Sequence, residues 1–152
     1  GGLSIYDYWR DGFQTFQGMT AHNFPNMFFT GFTQAAPNAS NSKTFIDQGF
    51  HIGYIASEAL KRGAVRVEPS AEAQAAYIAH LRSIAVDNSE YVTECTPSYF
   101  NNEGDDTKKR HIFGEPWGEG YYAFEAMLKE WRDAGRLEGL TLTRAAELEP
   151  AE

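Results

Sequence analysis

The stretch that most restricts how this chain can fold runs from residue 26 to residue 63. Asn26-Met27-Phe28-Phe29-Thr30-Gly31-Phe32 is a short apolar run entered through Pro25. That pattern predicts a strand buried on both faces, as in a parallel sheet. Residues 33–41, rich in Gln, Ala, Pro, Asn and Ser, have the composition of a loop. Ser40, Asn41 or Ser42 can then cap a helix that carries Phe45, Gly49, Ile52, Ala56 and Leu60 at helical spacing and stops at Gly63. Lys61 and Arg62 fall in its last turn, where the helix dipole favours positive charge. Gly49 and Gly53 weaken such a helix by roughly 1 kcal/mol each relative to Ala, so close packing against another backbone would be a reason to keep them. Strand, loop and helix make one β-loop-α unit. Ligands in open α/β sheets sit beyond the carboxyl ends of strands, where helix N-termini offer free N–H groups. Many α/β proteins contain such a unit for structural reasons alone, so the pattern by itself assigns no ligand.

Around this unit the signals are local. Leu3-Ser4-Ile5-Tyr6-Asp7-Tyr8-Trp9 alternates as a short strand would, after a turn at Gly1-Gly2. A second helix is expected from about Ser70, with Ala73, Ala76, Tyr77, His80, Leu81, Ile84 and Ala85 on one stripe. Residues 88–120 show no period over about 30 positions, the length of a functional lid or a linker. A last helix fits residues 119–134, with Phe124, Met127, Leu128 and Trp131 as its buried stripe and Gly135 as its stop. Residues 143–152 form an acidic tail expected to fray.

Composition narrows the function classes. With 42% hydrophobic and 14% aromatic residues the 152-residue chain can bury one real core. A net charge of −8 with no strongly basic stretch disfavours nucleic acid and anionic membrane surfaces as partners. No apolar run is long enough to span a bilayer and no leader pattern is present. The single cysteine, Cys95, points to a reducing, cytoplasmic setting. The missing initiator Met leads us to expect further residues upstream. His22, His51, His80 and His111 are scattered without metal-ligand spacing, so no metal is expected. The neighbours of Cys95 supply no positive charge to activate it. Tyr6, Tyr8, Trp9, Phe13 and Phe16 read as core or domain interface, and Lys108-Lys109-Arg110 reads as a solvated loop.

Asn23-Phe24-Pro25-Asn26-Met27-Phe28-Phe29 resembles the run that feeds the last strand of the FAD-binding domain in Baeyer–Villiger monooxygenases. Gly2-Leu3, Trp9 and Gly12 match the preceding hairpin, and Ser40-Asn41 with Gln48 match the following helix. The segment from Glu94 through Thr96-Pro97-Ser98-Tyr99-Phe100-Asn101-Asn102 to Gly104 resembles the branch that handles large cyclic ketones, as does the closing helix of residues 118–140. The resemblance implies an α/β fold: the C-terminal portion of a Rossmann-like, two-domain FAD/NAD(P) flavoprotein. Residues 1–63 would end the FAD-binding domain, 64–142 would be C-terminal helices and a long lid loop, and 143–152 a disordered acidic tail.

By the same resemblance, the backbone at Asn41 and Ser42 approaches the pyrimidine edge of FAD, where a helix N-terminus favours the negative charge of the reduced flavin. Ala35, Ala36, Pro37 and Asn38 lie beside the flavin and the substrate pocket. Tyr99 falls where the family usually has Trp, on a loop that contacts the nicotinamide cofactor NADPH. Lys108 and Lys109 lie near a Gly-Lys pair of other members. The family's two Gly-x-Gly-x-x-Gly fingerprints, its Phe-x-Gly-x-x-x-His-x-x-x-Trp signature and its catalytic Arg do not occur in the sequence. No catalytic residue is therefore expected here, and the missing N-terminal FAD- and NADP-binding portions are expected as partners. The implied reaction converts a ketone and O2 into an ester or lactone. A flavin enzyme oxidising nitrogen or sulfur, and a non-catalytic binding or assembly fragment, are the rival readings.

Overall fold

The computed structural model describes residues 2–87, 90, 94, 96–105 and 115–148, with the side chains of residues 99, 100 and 102 left aside. Among them are helices α1 (Ile5–Tyr8), α2 (Asn41–Lys61), α3 (Ala71–Ser83) and α4 (Tyr121–Ala134), and the 3-10 turns Tyr99–Gly104 and Ala145–Glu147. Strands β1 (Ala64–Pro69) and β2 (Leu140–Arg144) pair antiparallel, with Val67 opposite Leu142 and Pro69 opposite Leu140.

The long helices follow their local signals. Ser40 is extended at the start of α2, and its side chain accepts from the Lys43 N–H, satisfying one of the free donors of the first turn. Gly63, at φ 72°, turns the chain out of the helix into β1. Ser70 caps α3 by accepting from Ala73 N at 3.1 Å. Gly135 closes α4 in the left-handed region. The aromatic and aliphatic side chains of Phe16, Met19, Tyr77, Leu81, Trp117, Phe124 and Leu128 form the main core, between α3, α4 and the segments before α2. Ile55, Ala59, Ala64 and Val67 make a second cluster under the β1–β2 ribbon.

Three expectations need correction. Residues 5–8 are helical rather than a strand: the rings of Tyr8 and Trp9 pack edge-on to Phe24, Phe13 and Phe29 instead of lining a ladder. Residues 26–32 form no strand: Asn26 bonds to Val65 and Val67 of β1, largely through its side chain, and no ladder continues from it among the described residues. The buried row of α2 is Thr44, Gln48, His51, Ile55 and Ala59, offset from the apolar stripe read in the sequence. Phe45 and Leu60 of that stripe stay exposed, as do Ile46 and Phe50 beside them. Gly49 and Gly53 lie on the same open side, with nothing near the position a Cβ would take. The β1–β2 ribbon was not expected, and it draws Thr143 and Arg144 into β2. Residues 149–152 of the expected tail lie outside the described residues, as do Cys95, His111 and Lys108-Lys109-Arg110. No described helix is long and apolar enough to cross a membrane.

His51, fully buried, ties α2 to both neighbours. Arg132 of α4 donates to its Nδ1 at 2.9 Å, and its Nε2–H donates to Gln17 Oε1 at 2.9 Å. A guanidinium cannot accept a proton, so the ring is held neutral as the Nε2–H tautomer. Burial, reinforced by the Arg132 charge, lowers its pKa from 6.5 to about 3. The unfolded chain takes up that proton below pH 6.5 while the folded one does not, so stability is lost as pH falls from 6.5 toward 3. Between pH 7 and pH 5 the loss should be about 2 kcal/mol, and His51→Gln should flatten that part of the profile. Denaturation midpoints of both proteins across this range test it; equal slopes would remove His51 as the cause.

Candidate functional site

The start of α2 and the loop before it are built by side chains that bond to backbone. Asn38 Oδ1 accepts from Ser40 N at 2.8 Å, a local turn that sets up the cap. The Asn38 N–H donates to Oγ1 of buried Thr44 at 3.1 Å, folding the loop back onto the helix. Ala35 O accepts from Trp117 N at 3.1 Å. One helical turn on from Thr44, Gln48 closes on both backbone groups of Gly31: its Oε1 accepts from the N–H at 2.9 Å and its Nε2 donates to the carbonyl at 2.7 Å.

This arrangement sorts the expected site residues. Ala35 and Ala36 are fully buried and serve as the inner wall of the loop. Pro37 and Asn38 are half-buried, and Asn41 and Ser42 are exposed on the same loop and helix start. The backbone N–H groups of Asn41 and Ser42 meet no acceptor among the described residues, so the positive end of a 21-residue helix is open there. Tyr99 opens the 3-10 turn Tyr99–Gly104, away from this cluster in sequence, and its side chain is outside the described set. Behind Ala36, a cavity of about 190 Å³ lies between α2 and α4, walled by Thr44, Gln48, Phe124, Leu128 and Arg132.

Sequence reasoning missed the supports, apart from naming Gln48 as a match to the family's helix. Lys43 bonds Asp47 and Glu125 and donates to Tyr121 Oη at 3.0 Å, while the Tyr121 hydroxyl donates to Asp47. The hydrogen bond that Lys43 donates to Asp47, with Glu125 adding to it, raises the Lys43 pKa above its ordinary value. This clasp joins the first turns of α2 and α4. The Lys43/Asp47 spacing of four was a readable signal for half of it. Gln34 and Gln48, whose roles depend on distant backbone, left no periodic trace. No group of three or more His, Cys, Asp or Glu side chains suited to a metal occurs among the described residues.

No protein-family model matches the chain. Curated proteins do match. A Baeyer–Villiger monooxygenase of Stachybotrys chlorohalonatus is 32% identical over 148 residues, covering 96% of this chain and 23% of that protein. Neopentalenolactone D synthase of Streptomyces avermitilis is 30% identical over 141 residues, covering 93% of this chain and 24% of that protein. Among solved structures, a polycyclic ketone monooxygenase from the fungus Thermothelomyces thermophila superposes with a TM-score of 0.80 at 29% identity, over 95% of this chain and 23% of its own. The closed form of cyclohexanone monooxygenase shares the fold with a TM-score of 0.75 at 22% identity, over 95% of this chain and 26% of its own. The chain thus spans about a quarter of the length of the relatives it matches. Over nearly its whole length the chain is homologous, in sequence and in fold, to a C-terminal portion of Baeyer–Villiger monooxygenases.

Proposed function

We propose that this chain is the flavin-edge and pocket-wall portion of an FAD- and NADPH-dependent monooxygenase that converts a bulky or cyclic ketone and O2 into an ester or lactone. The observation that carries the reading is the similarity to Baeyer–Villiger monooxygenases along nearly the whole chain. The local geometry supports it: two free N–H groups, on Asn41 and Ser42, at the positive end of α2 suit the electron-rich pyrimidine edge of a reduced flavin. The fit extends to that edge alone. No Gly-x-Gly-x-x-Gly turn is present to cradle a pyrophosphate, so the FAD- and NADP-binding portions of the same enzyme must supply it. When bound, the flavin supplies the oxygen-transfer chemistry. In this reading Asn41 and Ser42 orient the ring, Ala35, Ala36, Pro37 and Asn38 shape the ketone pocket, and Tyr99 contacts NADPH and helps exclude water. Residues 1–63 end the FAD-binding domain, and residues 64–142 are its C-terminal extension. A cytoplasmic setting goes with a single cysteine and an NADPH-dependent reaction.

Asn41→Pro provides a clean test. Proline is tolerated at the first helical position, and Ser40 already has the extended backbone that a following proline demands. The substitution therefore removes one N–H while sparing the helix. In the complete enzyme it should weaken flavin retention about tenfold, or ~1.4 kcal/mol, the scale of one hydrogen bond to a charged group. Flavin absorbance per protein after gel filtration measures this, and unchanged retention at intact helicity would count against the flavin-edge assignment.

The missing portions should cover the open side of α2, where Ile46, Phe50 and Leu60 flank Gly49 and Gly53. Gly53→Ala should stabilise this chain alone by up to about 1 kcal/mol, by the difference in helix propensity. In the complete enzyme the same change should destabilise by about 1–3 kcal/mol, because a Cβ would enter a close helix contact. Chemical denaturation of both forms tests the pair, and stabilisation in both would show that nothing packs on that side.

A further inference from the structure

Gln34 immediately precedes the loop of residues 35–38, is fully buried, and holds the left-handed backbone conformation at φ 52°. A non-glycine residue needs compensation there. Its side-chain amide is saturated. Oε1 accepts from Thr15 N at 2.9 Å and from Thr15 Oγ1 at 2.7 Å. Nε2 donates to Phe13 O at 3.0 Å and to Glu115 Oε2 at 2.7 Å. Its carbonyl accepts from the buried Tyr77 hydroxyl at 2.6 Å. The other oxygen of Glu115 accepts from Arg82 Nε on α3 at 2.9 Å, and two residues on, Trp117 N donates to Ala35 O.

We infer that Gln34 and Glu115 act as a positioning pair, fixing the register of the loop that carries Ala35, Ala36, Pro37 and Asn38 and so setting the width of the ketone pocket; this rests on the reading of that loop as pocket wall. The loop is pinned at Gln34 and Ala35 from segment 115–117 and at Gln34 from residues 13–15, with Arg82 orienting the carboxylate. A core made only of apolar contacts would let the loop slide by fractions of an ångström, whereas five directional bonds on one residue admit a single backbone path. Neither residue touches a reacting atom. The pair acts through the loop, where small misplacements of a pocket wall cost rate and selectivity.

The test uses the complete, flavin-loaded enzyme. Glu115→Ala is the main variant, since Glu115 is at the surface edge with 36% of its side chain exposed and its loss should leave the fold intact. Glu115→Gln keeps an oxygen for Gln34 and serves as the conservative rescue. Gln34→Met keeps length and loses every side-chain hydrogen bond. Hydrogen exchange of the peptide spanning residues 34–40 should speed at least tenfold in Glu115→Ala and Gln34→Met, with α2 beyond residue 48 unchanged and Glu115→Gln within threefold of the parent. With ketone as substrate, KM should rise about tenfold and product formed per NADPH should fall at least twofold, while the rate of flavin reduction by NADPH changes less than twofold. The double variant should be no worse than Gln34→Met alone. Parental exchange in the loop of Glu115→Ala would overturn the inference, as would faster exchange with unchanged KM and coupling. If the parent enzyme oxidises no ketone while loop exchange still speeds in both variants, the proposed function fails and the positioning pair stands.

Discussion

Buried backbone N–H and C=O groups must find partners, and in this chain side-chain amides supply many that a sheet would otherwise provide. Asn26 imitates a strand neighbour: its Nδ2 donates to Val65 O, its Oδ1 accepts from Val67 N, and its own N–H donates to Val67 O, each at 2.9 Å. Gln48 does the same for Gly31 from the side of a helix. Thr20 Oγ1 donates to Met27 O, and Phe29 N donates to Met19 O. Through these bonds an apolar run without a ladder keeps one path across the molecule. The loop that follows is delivered to the helix start in a defined place.

The same feature explains what could be read from residues alone. Helices α2, α3 and α4 declared themselves because caps, periodic apolar positions and terminal glycines act within a few residues of one another. The ends fell within about two residues of the expected ones, the usual spread of such boundaries. Strands depend on partners. The run at 26–32 has strand composition but forms no ladder among the described residues, and Leu3 to Trp9 alternates only because aromatic rings recur there. The real ribbon joins Ala64–Pro69 to Leu140–Arg144, more than 70 positions apart, and neither half announces the other. Within the candidate site, the capping residues placed the helix start, and resemblance alone proposed the loop as pocket wall. The residues that hold them, Gln34, Gln48, Thr44 and His51, bond to distant backbone or to each other, and no local pattern encodes such a contact.

The two sides of α2 differ in a way that bears on assembly. One side is packed around Thr44, Gln48, His51, Ile55 and Ala59, a row unusually polar for a core, and its polar atoms meet partners in residues 17, 31 and 38 and in α4. The other carries Phe45, Ile46, Phe50 and Leu60 at 42–73% exposure. The buried side combines these hydrogen bonds with the apolar contacts of Ile55 and Ala59, while the exposed side carries an apolar row. The polar row fixes the position of α2 against residues 17, 31 and 38 and against α4.

Charge near the helix start follows the same division of labour. Lys43 sits in the first turn of α2, where a cation opposes the helix dipole. Its ammonium is turned toward Asp47, Glu125 and Tyr121, and its cation also lies over the Tyr121 ring, 5.5 Å from the ring centre. The pairs are exposed enough that each adds little stability. Their effect is directional: the positive charge is held toward α4 by two carboxylates, and the N–H groups of Asn41 and Ser42 are left uncovered. A lysine at this position without Asp47 and Glu125 would be free to swing over the helix end and compete with any ligand drawn to it. With them, the open N-terminus presents backbone donors rather than a mobile cation.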